Sequence, residues 1–309
     1  MKLTSTIAAL LTVLTLAPLS AHAAVSDDIP FEITDSGHMV VTLRLNGRED
    51  VDAIVDTGAT FPIIDSQSAA LIGVAPPASP ALIEIIGLGD VRTFPVIDVD
   101  RMSVGPVRVD AAQAAYNNKV RFPSTGNVIP ASSLPQRTLD FDFERSRLRV
   151  YDGAPAHISR SLVTRLEVTR IGGLPFIEVS VNGTKGLALI DTGASVSIVN
   201  SAFAEGASRS RDSVRDIELV GATGNITPVK VLFSRRFEIG DFEVDRFNVI
   251  VSNPEFLDRF GLSDTPVMIL GLDILKAFRL QIDREEDLVR FALPDRGRRP
   301  GAGISLRAR

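Results

Sequence analysis

The chain has 309 residues, 45% of them hydrophobic and 23% charged, enough to bury the core of one or two globular domains. Its formal charge of −5 singles out no partner, and no basic patch interleaved with aromatics occurs in the body of the chain, which argues against nucleic acid as a ligand. Cysteine is absent, and His38 and His157 are the only histidines beyond the first 23 residues, so a thiol nucleophile and a thiolate metal site are excluded. Neither histidine lies in an H-E-x-x-H pattern, and carboxylates are left as the best candidates for acid–base work.

Residues 1–23 read as an export signal: Lys2 supplies a positive start, Ile7 to Leu19 an apolar stretch, and Ala21-His22-Ala23 a small-residue cleavage site. The apolar stretch is shorter than the ~20 residues of a spanning helix. The expectation is a mature chain starting near Ala24, periplasmic or extracellular, with no integral membrane segment after signal removal and no lipid-bearing cysteine.

From Val40 the chain reads VVTLRLNGREDVDAIVDTGAT, and from Phe176 it reads FIEVSVNGTKGLALIDTGAS. Each passage is a run of alternating, β-branched residues, an Asn-Gly turn signal, a second apolar run and then Asp-Thr-Gly-Ala, which predicts a β-hairpin delivering an Asp to a strand end. One extra residue in the first hairpin loop separates the offsets of the two Asn-Gly pairs and the two aspartates. The repeat extends downstream. The segment VIPASSLPQRTLDFDFERSRLRV from Val128 aligns without gaps on ILGLDILKAFRLQIDREEDLVRF from Ile269. Upstream, Phe31 to Thr34 is aligned with Glu167 to Arg170.

The repeat divides the chain into a first lobe over 24–150, a linker over 151–166 and a second lobe over 167–293. Residues 294–309 form a Gly-, Pro- and Arg-rich tail expected to be disordered. Short helices are expected over Ser66 to Ile72 and Ser201 to Gly206, capped by Asp65 and Asn200, and over Leu272 to Phe278. The fold class is all-β, two similar lobes with few short helices.

Asp56-Thr57-Gly58-Ala59 and Asp191-Thr192-Gly193-Ala194 each follow an apolar strand, a suitable setting for a catalytic carboxylate: the strand end is rigid, and glycine lets the backbone turn tightly. These motifs resemble those of the aspartic peptidases, and Ala after Gly is closer to the retropepsin branch than to pepsin. The run DTGASVSIVN from Asp191 and the segment MILGLDIL from Met268 are similar to the same family. The resemblance covers nearly all of both repeats.

It implies closed β-barrel lobes, retropepsin- or pepsin-like, about a pseudo-two-fold axis with Asp56 and Asp191 as a catalytic pair sharing one proton. It also implies that Thr57 and Thr192 lock the two loops together, that Gly58 and Gly193 keep the carboxylates near-coplanar and present backbone N–H groups to them, and that Ala59 and Ala194 support the active loops. Further implications are an aspartic endopeptidase active as a monomer on a peptide or protein substrate, with no cofactor and no metal. A non-hydrolytic peptide-binding or regulatory protein on the same fold is the alternative, against which two intact aspartates argue. Glycine-bearing hairpins at Gly87 and Gly89, and at Gly221 and Gly224, are candidate flaps, although neither carries a tyrosine. The first lobe departs from the second at Thr60-Phe61-Pro62 against Ser195-Val196-Ser197, and at Pro130 against Gly271.

Overall fold

The computed structural model describes residues 27–87, 91–120, 124–158, 162–208, 214–220, 226–293 and 305–308. Alternation sets the first hairpin. Met39, Val41, Leu43 and Leu45 point inward from the strand Met39–Leu45 and are at most 2% exposed, as a period of two demands of a strand with one buried face. This strand pairs antiparallel with Glu49–Asp56. Asn46 and Gly47 both take positive φ at the turn, a conformation these two residue types tolerate best. Leu174–Val181 and Thr184–Ile190 repeat the arrangement around Asn182 and Gly183. Leu45 faces Glu49 across the first turn, whereas Val181 faces Thr184 across the second, which is the one-residue difference read from the sequence.

Each Asp-bearing strand also lies parallel to a strand from the end of its own repeat. Val128–Pro130 runs beside Ile54 to Asp56, and Val267–Leu270 beside Leu187 to Ile190. Pairing from both sides holds the aspartates at the mouth of a sheet instead of on a free loop. The helices are brief. α1 (Ser66–Leu71) is capped by Asp65, which accepts from the Ser68 N–H, and α2 (Ser201–Ala207) by Asn200, which accepts from Phe203. α3 (Phe256–Arg259) was not foreseen, and α4 (Leu272–Leu275) is shorter than expected, with a 3₁₀ turn at Ala131–Ser133 in the corresponding place of the first lobe.

The halves are joined by strands from both. Thr138–Asp142 pairs antiparallel with Arg279–Asp283, flanked on one side by Arg147–Tyr151 and Asp27–Pro30 and on the other by Leu288–Ala292 and Val163–Glu167. The order is symmetric about the pair Asp140–Gln281, so a pseudo-two-fold axis passes there. One hydrophobic cluster runs through both halves, including Phe141 and Leu148 from the first and Leu280 and Phe291 from the second.

The described strands form a 15-stranded and an 11-stranded sheet, in keeping with the all-β, two-lobed fold expected. Other expectations are corrected. The linker is shorter than 151–166: Tyr151 ends one strand, and Val163–Glu167 is already part of the shared sheet. The upstream alignment slips by one residue. Phe31 faces Val41, and continuing the register of Thr169 against Phe176 sets Val168, not Glu167, opposite Ile177. Burial explains the slip, because Phe31 and Val168 are buried and Glu167 is exposed. In the tail, Ser305–Ala308 is a strand on the edge of Phe242–Asp245, where an unpaired row of backbone groups offers partners that composition does not reveal.

Candidate active site

Asp56 closes its strand at Pro130, and Asp191 follows its own strand with its N–H donating to Leu270 O at 3.1 Å. The two Asp-Thr-Gly-Ala turns meet face to face. The Thr57 N–H donates to Thr192 Oγ1 at 3.1 Å, and the Thr192 N–H to Thr57 Oγ1 at 3.0 Å. Each hydroxyl in turn donates across the interface, Thr57 to Ile190 O and Thr192 to Val55 O, both at 2.7 Å. Both threonines are buried. Four reciprocal hydrogen bonds between buried groups fix the turns more tightly than four exposed ones would.

Glycine is required next to each Asp because the opposite carboxyl is so close. A Cβ at Gly58 would stand 2.8 Å from Asp191 Cγ, and one at Gly193 would overlap the Asp56 carboxylate. The backbone N–H groups are spent on the carboxylates: Gly58 N–H donates to Asp56 Oδ1 at 2.6 Å, while Gly193 and Ala194 N–H both donate to Asp191 Oδ1, at 2.8 and 3.0 Å. Ala194 is thus a direct contributor, and Ala59 makes no corresponding contact.

Burial pushes the pKa of both carboxyls above the ordinary range, and the pair lies within hydrogen-bonding reach of each other. Asp56 is pushed furthest, well above the usual carboxylate value, first by desolvation and then by the Asp191 charge. For Asp191, too, burial is the largest influence, opposed by hydrogen bonds from Asp56 and from the Gly193 and Ala194 N–H groups, since hydrogen bonds to the anion favour ionisation.

The second loop has a support that the first lacks. Ser197 N–H and Oγ donate to Asp273 at 3.0 and 2.6 Å, and the Gly271 N–H donates to Ser197 Oγ at 3.0 Å. At the corresponding positions the first lobe has Pro62, Ser132 and Pro130. The hydroxyl, the carboxylate and the N–H have all gone, so the departures visible in sequence are one coordinated loss. Asp273 and Ser197 were missed as site residues; reading Pro62 and Pro130 together with Ser132 is the signal that finds them.

Leu82–Ile86 and Val91–Asp98 form one hairpin, and Val214–Val220 and Ile226–Phe233 another. Gly87 follows the first strand directly, while Gly89, Gly221 and Gly224 lie outside the described residues. The first hairpin reaches the other lobe: Ile86 packs against the cluster containing Phe256, Leu257 and Ala194, and Arg259 on α3 pairs with Glu84 at 3.0 Å. Among the described residues no three His, Asp or Glu side chains gather where a metal ion could be held, and no helix is long and apolar enough to cross a membrane.

The sequence matches the family model for aspartyl proteases twice, over residues 41–134 and over residues 177–274. The two stretches contain the two Asp-Thr-Gly-Ala turns. No curated protein matches the chain.

Proposed function

Since the chain belongs to the aspartyl protease family, we propose that it is an endopeptidase in which a water held between Asp56 and Asp191 attacks the peptide bond. The observation that carries this reading is the reciprocal locking of two identical turns, which brings two buried carboxyls into mutual reach and raises the proton affinity of both. Two carboxyls so close share one proton, which lets one act as acid while the other acts as base.

Asp56, the member that burial and the neighbouring charge favour as protonated, donates to the substrate carbonyl oxygen. Asp191, ionised and held by two N–H donors, takes a proton from the water as its oxygen attacks the carbonyl carbon. A neutral gem-diol results, with Asp56 now ionised and Asp191 protonated. On collapse the C–N bond breaks, Asp191 gives its proton to the departing nitrogen, and Asp56 recovers one from a diol hydroxyl. The dyad returns to its starting state, which needs neither a covalent intermediate nor a redox partner.

Both loops belong to one chain, so the working unit in this reading is a monomer. The export expected from residues 1–23 places its peptide or protein substrates outside the cytoplasm. The decisive experiment is cleavage of a mixed peptide library by the wild type, Asp56→Asn and Asp191→Asn, with and without a statine-type hydroxyl compound. Loss of an acid–base partner lowers the rate about 10²–10⁴-fold, and a mimic of the tetrahedral species inhibits. Cleavage by either variant at near wild-type rate refutes the reading.

A further inference from the structure

Comparing the lobes across the pseudo-two-fold axis exposes a difference behind the first active loop. A cavity of about 350 Å³ opens between the halves there, walled on the loop side by Thr57 and Ala59. Its floor is apolar, formed by Ala131, Leu139, Pro175 and Ile282, all buried. Its rim is charged, formed by Arg170, Arg284 and Asp287.

The corresponding space in the other lobe holds larger side chains. Leu272 stands where the first lobe has Ala131, and Phe141 where the second has Ile282, both fully buried. Phe143, which stacks on Phe141 with ring centroids 6.1 Å apart, takes the place of Arg284. The same fold therefore lines this space with larger apolar groups on one side of the axis, and with smaller ones and a cation on the other.

Among the described residues that cation has no anion of its own. Arg170 pairs with Asp287 at 2.9 Å. Arg284 instead donates to the backbone carbonyls of Leu134, Gln136 and Ser132. These three bonds leave two of its five N–H donors unused. Burial and the charge of Arg170 both weigh against its positive charge, and no carboxylate offsets them. The rim thus carries two cations for one anion above an apolar floor.

We propose that this cavity binds a small carboxylate bearing an apolar group, its charge held by Arg284 with Arg170 alongside and its apolar part against Ala131, Leu139 and Ile282. A guanidinium matches a carboxylate in planar shape and charge, and a half-buried cation without a counter-ion gains most from one. A free carboxylic acid and the terminal carboxylate of a peptide offer the same chemistry.

Thermal unfolding of the full chain tests this directly and independently of any peptidase activity. The probes are hexanoate, hexan-1-ol, hexylamine, N-acetyl-leucine and N-acetyl-leucinamide. A ligand that binds only the folded state raises Tm in a saturable way. Hexanoate and N-acetyl-leucine are expected to do so, the alcohol, amine and amide are not, and the tighter of the two acids identifies the source of the carboxylate. Ala131→Leu and Ile282→Phe place in the cavity the side chains found across the axis. Either is expected to abolish the rise, whereas Arg170→Met weakens binding about tenfold. No saturable rise with either acid, an equal rise with hexan-1-ol, or a rise undiminished in both filled variants overturns the proposal.

Discussion

Asp56 is held out of water beside a second carboxyl, and this has a consequence for stability as well as for chemistry. Its pKa in the folded chain lies above the unfolded value of about 3.9, so the folded protein binds the extra proton. That contribution to stability is complete below the unfolded value and is lost as pH rises through the folded one. Asp56→Asn is therefore expected to abolish cleavage yet raise Tm above wild type at pH 7–8, with the gap closing towards pH 3. Melting curves across that range check it, and a gap independent of pH rejects it. The threonines give the opposite expectation. Thr57→Val leaves the Thr192 N–H and the Ile190 carbonyl without partners, and each buried orphan costs about 1–3 kcal/mol. Thr57→Ser retains the hydroxyl and should lose little; denaturant melts of the pair separate the hydrogen bonds from packing.

Between elements, the contact that the sequence hides best is the bridge from the first hairpin to α3. Glu84 and Arg259 are 55% and 45% exposed, so their pairing is worth only about 0.2–1 kcal/mol. Ile86 adds an apolar anchor on the same side. Glu84→Arg is expected to lower kcat/KM up to about fivefold at low salt, the equivalent of that range. Glu84→Arg combined with Arg259→Glu should restore it, and high salt should erase the difference. A charge swap without rescue shows that the hairpin does not depend on this pair. Local signals made α1 and α2 legible, because Asp65 and Asn200 cap their own helices within three residues. α3 was not legible: Glu255 offers no side-chain cap, and Phe256 and Leu257 are held by the second-lobe cluster instead. The strand Ser305–Ala308 was hidden for a similar reason, since its pairing with Phe242–Asp245 joins residues far apart in sequence. The facing of Asp56 and Asp191 could be expected because the motif occurs twice at matched places. The unequal support of the two carboxyls could not, because it depends on which N–H points at which oxygen.

Across the whole molecule, the shared sheet makes one folding unit of two repeats. Asp140 at its centre is fully buried and receives two hydrogen bonds from Arg279, at 2.8 and 2.6 Å, and one from Gln281 at 3.0 Å. Asp140→Ala takes two hydrogen bonds from Arg279 and leaves it Asp142 at 3.9 Å, so the expected cost is about 3 kcal/mol, the low end for a broken buried pair. Calorimetry should still show a single transition, because both repeats lend strands to the sheet; two separate transitions would show that the lobes melt alone. The same centre decides which half recognises which. Thr138 faces Asp283 and Asp142 faces Arg279 across the axis. Two copies of the first half meeting through this sheet would set Asp140 against Asp140 and Asp142 against Thr138. Two like charges would then be buried together, each without the guanidinium that Arg279 supplies. The first half is thereby steered away from its own twin, and the identity of its companion is written in three residues of one strand.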